Sequence, residues 1–462
     1  MPHRAISSLR WLLPGLGIKR WLILAAIGIA LILDAANRWV VAEGTGFHVN
    51  EFLDGAVNDY FSPSYLTWVF AIAGIAMIVI GVRQWLRALV KASISPSRGN
   101  GVLDALIGRR LEDGYKIVAI GGGTGLATLL RGLKRQTTNI TAVVTVSDDG
   151  GSSGRLQKEL GVLPPGDVRN CLVALADNEA LVTDLFRYRF ADGEGLSGHS
   201  FGNLFLAAMT GITGNFDRAI KESSRVLNIV GRVLPATLSV ASLCAELDDG
   251  TIVRGESNIP HAGRPIRRVF FDPPRVEALD EVLTAIRDAD AIVLGPGSLF
   301  TSILPNLLIE RITAEIVASN AIRMYVCNVM TQPGETERMS ASEHVSALFA
   351  HAGGRICDYV IVNDQPPSKL LEVYAEEHHA PVVDDVGRIE ALGLTAVRAH
   401  VISETQTVRH DSEKLAQVVF GVIDRAIADR ATFVRSARAY RNAATASATA
   451  TASPPETTPD RG

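Results

Sequence analysis

Apolar residues fall into two regimes along this chain. Up to about residue 90 they come in long runs. Beyond about residue 114 they come in short runs separated by stretches of helical period. Tyr65–Val82 carries no charge over 18 positions, and as a helix it would rise about 27 Å, close to the hydrocarbon thickness of a bilayer. This predicts a transmembrane helix over about 65–85, with Trp68 and Trp85 suited to the interfaces. The earlier run Trp21–Leu33 is shorter and meets Asp34, Asn37 and Arg38 before Trp39–Ala42. It reads as a second helix over about 21–42, completing a membrane hairpin within residues 1–90. Lys19 and Arg20 before it and Ala35 and Ala36 after it also fit a signal sequence.

From Lys116 onwards the short runs KIVAI, NITAVVTV, AIVL, MYVCNV and DYVIVN alternate with helical patterns such as TGLATLLRGLK. That alternation predicts βαβ units and a mostly parallel sheet with helices on both faces. Thr237–Glu256 interrupts it: two strand-like runs around Asp249-Gly250 predict an antiparallel hairpin. The expected organisation is a linker over 91–113, an α/β domain over 114–440 and a tail over 441–462. The tail lacks large apolar side chains and reads as disordered.

Charge sharpens this picture. Residues 1–20 hold Arg4, Arg10, Lys19 and Arg20 and no acid, whereas the stretch between the two runs holds Glu43, Glu51, Asp54 and Asp59 and no Lys or Arg. The positive-inside bias therefore predicts a multi-pass protein of the inner (plasma) membrane, with both termini and the large C-terminal domain in the cytoplasm. A formal net charge of -4 disfavours a nucleic-acid partner, which is bound through a basic excess. Cys171, Cys244, Cys327 and Cys357 are scattered without a C-x-x-C pair, so neither a zinc site nor a disulfide framework is expected.

Candidate chemistry lies where strands end. Lys116–Ile120 runs into Gly121-Gly122-Gly123-Thr124-Gly125 and then a helix, an arrangement that presents backbone N–H groups to a phosphate. Its spacing matches neither the dinucleotide fingerprint nor a Walker A loop, and a tight structural turn is the alternative. The next strand ends in Asp148, Asp149 and a hydroxyl-rich loop with Ser152 and Ser153. In a parallel sheet these lie at the same carboxyl edge, where the acids could hold a ribose, coordinate Mg²⁺ or orient a hydroxyl nucleophile. In PPGDVRN, Asp167 suits a helix N-cap, and Arg169 suits either a phosphate clamp or an ion pair. His199 fits buried hydrogen-bonded structure better than acid–base work, while Asn203 is a ligand candidate. Strand Ala291–Leu294 leads into Gly295, Gly297, Ser298, Thr301 and Asn306, a second candidate anion site at a helix start. Strand Met324–Asn328 leads into Val329–Thr336, a polar loop that reads either as a contact for a base or sugar or as a solvated connection.

These blocks, GGGTGLATLLRGLK, VSDDGGSSGRL, LPPGDVRN, GHSFGN, VLPATL, LGPGSLFTSILPN and NVMTQPGET in this order, resemble the gluconeogenesis factor (YvcK) family of the CofD-like, 2-phospho-L-lactate transferase superfamily. The resemblance covers roughly Lys116–Asp364. It implies a modified Rossmann-like fold, a homo-oligomer, and binding of uridine diphosphate sugars with a regulatory role in carbon metabolism, cell shape and envelope synthesis. It also implies that Gly121–Gly125, Asp148, Asp149, Asn203 and the Gly295–Asn306 segment surround the nucleotide. The alternative it carries is a Mg-dependent phosphotransferase using Asp148 or Asp149. Gln157, where the family usually has arginine, and the membrane hairpin depart from the common pattern.

Overall fold

The computed structural model describes residues 18–42, 63–94, 111–365, 367, 379–404 and 408–450. The chain divides into two units, 1–113 and 114–462. The expected acidic loop between the apolar runs, most of the linker and the last twelve residues lie outside the described residues.

In the first unit, α1 (Ile18–Ala42) and α2 (Pro63–Ile94) pack antiparallel. Small residues form the seam, because a Cβ at Gly28 would come within 2.7 Å of the Gly74 carbonyl, and one at Gly74 within 2.6 Å of the Gly28 carbonyl. Ile23, Leu33, Trp68, Ile72 and Val79 point outward and are exposed. Thr67–Gln84 is long and apolar enough to cross a membrane, with a mean hydropathy of 1.7.

The second unit is built on seven parallel strands. β1 (Ile117–Gly121) lies centrally, with β2 (Ile140–Val144) and β3 (Arg232–Pro235) following on one side. On the other side come β7 (Ala291–Leu294), β8 (Ile322–Val326), β9 (Tyr359–Asn363) and β10 (Thr395–Ala399), giving the order β10-β9-β8-β7-β1-β2-β3. Every pair in this sheet is parallel. The strand order therefore reverses between β1 and β7, which is where ligands of such sheets bind.

Both faces of the sheet are covered, as its near-continuous apolar strands require. Ile117, Ala119, Ala142, Val144, Val293 and Met324 face one core. They pack there on α3 (Gly123–Leu133), α5 (Gly166–Leu175) and the start of α14 (Ser412–Ala450). Val118, Ile120, Val143, Ile292, Leu294 and Tyr325 face the other, against α9 (Asp280–Arg287), α11 (Glu310–Ala318) and α12 (Ala341–Ala352).

Three expectations change in detail. The antiparallel insertion has three strands, β4 (Ser242–Leu247), β5 (Ile252–Arg254) and β6 (Ile266–Asp272), with β4 central. The second glycine loop opens a π-turn, Leu299–Ile303, followed by the single turn α10 (Leu304–Leu307). Helix α14 runs on to Ala450, into the segment expected to be a disordered tail, because alanine-rich sequence has high intrinsic helix propensity.

Candidate functional site

At the switch point a cleft of about 630 Å³ opens along the carboxyl edge of the sheet. Its floor is Gly122–Gly125, where β1 turns into α3. Two glycines are required there. Gly123 has φ +64°, in the left-handed region, and a Cβ on Gly125 would sit 2.5 Å from the Pro296 carbonyl of the second loop. The two glycine loops therefore touch, and one wall of the cleft is the second loop through Pro296, Gly297, Ser298, Thr301 and Ser302.

The loops differ in what occupies their N–H groups. In the first, the Gly123 N–H donates to the Asp167 carboxylate, and Gly122, Thr124 and Gly125 line the cleft beside it. In the second, the Glu335 carboxylate accepts from the backbone N–H groups of Phe300 and Thr301, and the Thr301 hydroxyl donates to it at 3.3 Å. An internal carboxylate thus fills the second helix start. Ser298 is engaged as well, accepting from Gln332 Nε2 at 2.7 Å.

Carboxylates gather on the opposite side. Asp148, Asp167 and Glu256 all line the cleft. Burial, with the Asp148 charge next, pushes Asp167 up to about 7. Burial, then the charges of Asp148 and Asp167, pushes Glu256 up to about 8. Burial also raises Glu335 to about 7. Near neutral pH Asp167 and Glu256 exchange protons, so they can donate to a phosphate oxygen as well as accept from a hydroxyl. Their hard oxygen donors are of the kind Mg²⁺ prefers. Among the described residues, however, no three His, Cys, Asp or Glu side chains converge closely enough to hold a metal ion.

The acids expected to share one role are split. Asp148 faces the cleft and accepts from the Gly150 N–H at 3.1 Å. Asp149 turns away, and its Oδ1 accepts from the Ser257 N–H at 2.9 Å. It thereby anchors the 3-10 turn Glu256–His261 that carries Glu256 to the cleft. Asp167 is not an N-cap: α5 starts behind Pro165 with no side-chain cap, and the carboxylate reaches instead to the glycine loop.

Several other candidates form a buried network behind the cleft. Asn203, at the start of α7 (Phe201–Thr213), donates from Nδ2 to Ser152 Oγ at 3.2 Å and to Ser153 Oγ at 3.4 Å. It accepts from Arg169 Nη1 at 3.0 Å. Ser152 Oγ is hydrogen-bonded to His199 Nδ1 at 2.9 Å, and burial lowers the imidazole's pKa. This network ties α5, α7 and α4 (Gly151–Leu160) together at the cleft edge. Asn306 is fully buried and donates from Nδ2 to Ser302 O at 2.8 Å and to Gly121 O at 3.3 Å, bracing the two loops rather than lining the cleft. Gly121 and Gly295 are the buried ends of that joint.

Sequence reasoning missed the remaining wall, which comes from distant segments: Thr128 and Asn170, His379, and the edge strand β12 (Val408–His410) paired with β11 (Ile402–Glu404). Burial pushes His410 down to about 4, and its Nε2 has no hydrogen-bond partner. Nothing local in the sequence marks these positions. The expected polar loop does contribute, through Met330, Thr331 and Gln332.

Comparison with known proteins places this cleft in a family setting. Residues 117–402 match the family model described as 2-phospho-L-lactate transferase CofD. The gluconeogenesis factor of Bacillus subtilis is 49% identical over 310 residues, covering 67% of this chain and 98% of that protein. A Nostoc sp. protein named for the same factor is 47% identical over 425 residues, covering 90% of this chain and 93% of its own length. A crystal structure of a Bacillus halodurans protein superposes with a TM-score of 0.65 at 50% identity, covering 67% of this chain and all of that one.

Proposed function

This chain belongs to the gluconeogenesis factor family with its CofD-like domain, and from that premise we propose that it is a membrane-tethered regulatory protein whose cytoplasmic domain binds a nucleotide-sugar ligand, a uridine diphosphate sugar. The observation that carries this reading is the cleft at the strand-order reversal, floored by the glycine turn Gly122–Gly125 that opens a helix. A volume of about 630 Å³ falls within the range of small-ligand and cofactor sites. The first glycine loop suits the diphosphate, and the polar wall at Asn328–Gln332 suits a base or sugar with donors and acceptors of both kinds.

The tether is supported by the outward-facing apolar side chains of α1 and α2 and by the flanking charge bias. The same reading includes the inner (plasma) membrane as location and self-association as the assembled state. Exposed Leu181 and Leu185 on α6 (Glu179–Arg187) and Ile212 on α7 offer apolar surface for it. Regulation of carbon metabolism, cell shape and envelope synthesis follows from the family resemblance.

A second reading, phosphoryl-group transfer, is favoured by one observation: cleft-facing acids poised near neutrality. In it the acceptor hydroxyl oxygen attacks phosphorus, its proton passes to the Glu256 carboxylate, and the bond from phosphorus to the nucleoside monophosphate oxygen breaks. Calorimetry on the full-length, detergent-solubilised protein with UDP-sugars, guanosine diphosphate and dinucleotides tests the first reading. Saturable binding of a UDP-sugar with no release of labelled product supports it. Steady product release that is lost in Glu256→Gln replaces it with the second.

A further inference from the structure

Beside the cleft, and sharing Thr124, Asn170 and Arg409 with it, lies a narrow crevice into which four arginines converge from four separate elements. They are Arg131 on α3, Arg169 on α5, Arg187 at the end of α6 and Arg409 on β12. Arg131 pairs directly with Glu179, which also takes Lys134, whereas Arg169 feels the charges of Asp148 and Asp167 without a direct ion pair. Arg169 is satisfied by neutral acceptors: Nη1 donates to Ser200 Oγ at 2.8 Å and to Asn203 Oδ1, and Nη2 donates to Asn170 Oδ1 at 2.9 Å. The guanidinium groups of Arg187 and Arg409 meet no carboxylate and no hydrogen-bond acceptor among the described residues, and both side chains are exposed.

This is an unbalanced concentration of positive charge. Burial, followed by the like charge of Arg189, lowers the Arg169 pKa; Asp148 and Asp167 oppose that shift, and Arg187 adds to the repulsion. A protein that needed only structural cations here would pair them with acids, as it does with Glu179. Forked guanidinium groups converging on one point are suited to an oxyanion, which accepts several charge-assisted hydrogen bonds at once. The enclosed part of the crevice measures about 10 Å³, room for about one water-sized group. It therefore encloses one oxygen of a terminal group, whose other oxygens stay at the open mouth beside the exposed Arg187 and Arg409, and it excludes a ring or a nucleoside.

We propose that this crevice is an oxyanion subsite that takes a phosphate or carboxylate group other than the one seated on the first glycine loop. Its position next to Thr124 allows the group to come from the far end of the cleft's own ligand or from a free small anion bound beside it. The inference rests on the nucleotide reading for the first source only.

The test is equilibrium dialysis of labelled inorganic phosphate against the full-length protein, with and without a saturating UDP-sugar. Arg187→Gln should weaken phosphate binding about tenfold, and Arg225→Gln, which loses only a surface pair with Glu222, should leave it unchanged. Phosphate retained in the presence of the UDP-sugar identifies a free anion. Displacement of phosphate, with weaker UDP-sugar binding in Arg187→Gln, identifies a group on the ligand itself. Phosphate binding that Arg187→Gln leaves intact, or its absence from the wild type, overturns the subsite. If no UDP-sugar binds but Arg187→Gln still weakens phosphate binding, the nucleotide reading fails and the subsite stands.

Discussion

The two glycine loops are mechanically alike in sequence and differ in how far an internal carboxylate fills them. Each follows a buried strand, each begins a helical turn, and the two touch at Gly125 and Pro296. The first floors the cleft and gives its Gly123 N–H to Asp167, itself a cleft residue. The second has its helix start filled by Glu335, a carboxylate 34 residues away from Thr301 in the chain. A helix N-terminus is thus an anion site only through the N–H groups that side chains of the same protein leave unfilled. The second loop acts as a wall and brace for the first.

Breaking the joint itself should have the largest effect. Gly125→Val places a side chain against the Pro296 carbonyl and the Gly297 backbone, and overpacking of this kind costs about 1–3 kcal/mol. Urea unfolding should show that loss, and ligand binding should vanish with it. Unchanged stability would mean that the loops do not touch.

Next in size is the pH response of the filled loop. Glu335 is raised to about 7 from an ordinary 4.5, so the native state holds its proton more tightly than the unfolded chain. Its stabilising contribution is fully present below pH 4.5, falls as pH rises towards about 7, and is flat beyond, a span of up to about 3 kcal/mol. Glu335→Gln should flatten this alkaline decline. His410 acts in the other direction. Lowered to about 4 from 6.5, it contributes fully above pH 6.5 and loses that contribution as pH falls to about 4. Between pH 4.5 and 6.5 the two limbs oppose each other, and melting curves from pH 4 to 9 on wild type, Glu335→Gln and His410→Phe resolve them. A Glu335→Gln profile parallel to that of the wild type would count against the buried carboxylate.

A smaller effect separates the neighbouring acids. Asp148→Asn should weaken ligand binding by about 1–3 kcal/mol, since it removes a charged acceptor from the cleft. Asp149→Asn should lower stability through the Ser257 anchor and leave direct ligand contacts in place. Equal effects on binding would return both to a shared role.

Much of this was legible in the sequence. The sheet announced itself because parallel strands buried on both faces read as bare apolar runs, and the glycine turn after Ile120 marked the ligand edge. The third antiparallel strand was missed because Arg267 and Arg268 interrupt the apolar run, although Val269 and Phe271 alternate inward as a strand should. Asp167 was read as a cap because caps are local, whereas its partner, Gly123, lies 44 positions away. Glu256, His379 and Arg409 reach the cleft only through tertiary packing, as Glu335 reaches the second loop, and no local pattern distinguishes them from solvated residues.

The most direct measurement compares UDP-sugar affinity in Gly123→Ala and Gly297→Ala by calorimetry on the full-length protein, with melting curves to confirm folding. A Cβ at Gly123 is strained at φ +64° and stands in the turn that floors the cleft, whereas one at Gly297 meets only ordinary contacts at 3.4 Å. If the diphosphate sits on the first loop, Gly123→Ala loses about tenfold or more in affinity and Gly297→Ala stays within about twofold. The reverse order, or equal losses in both folded variants, would contradict the assignment.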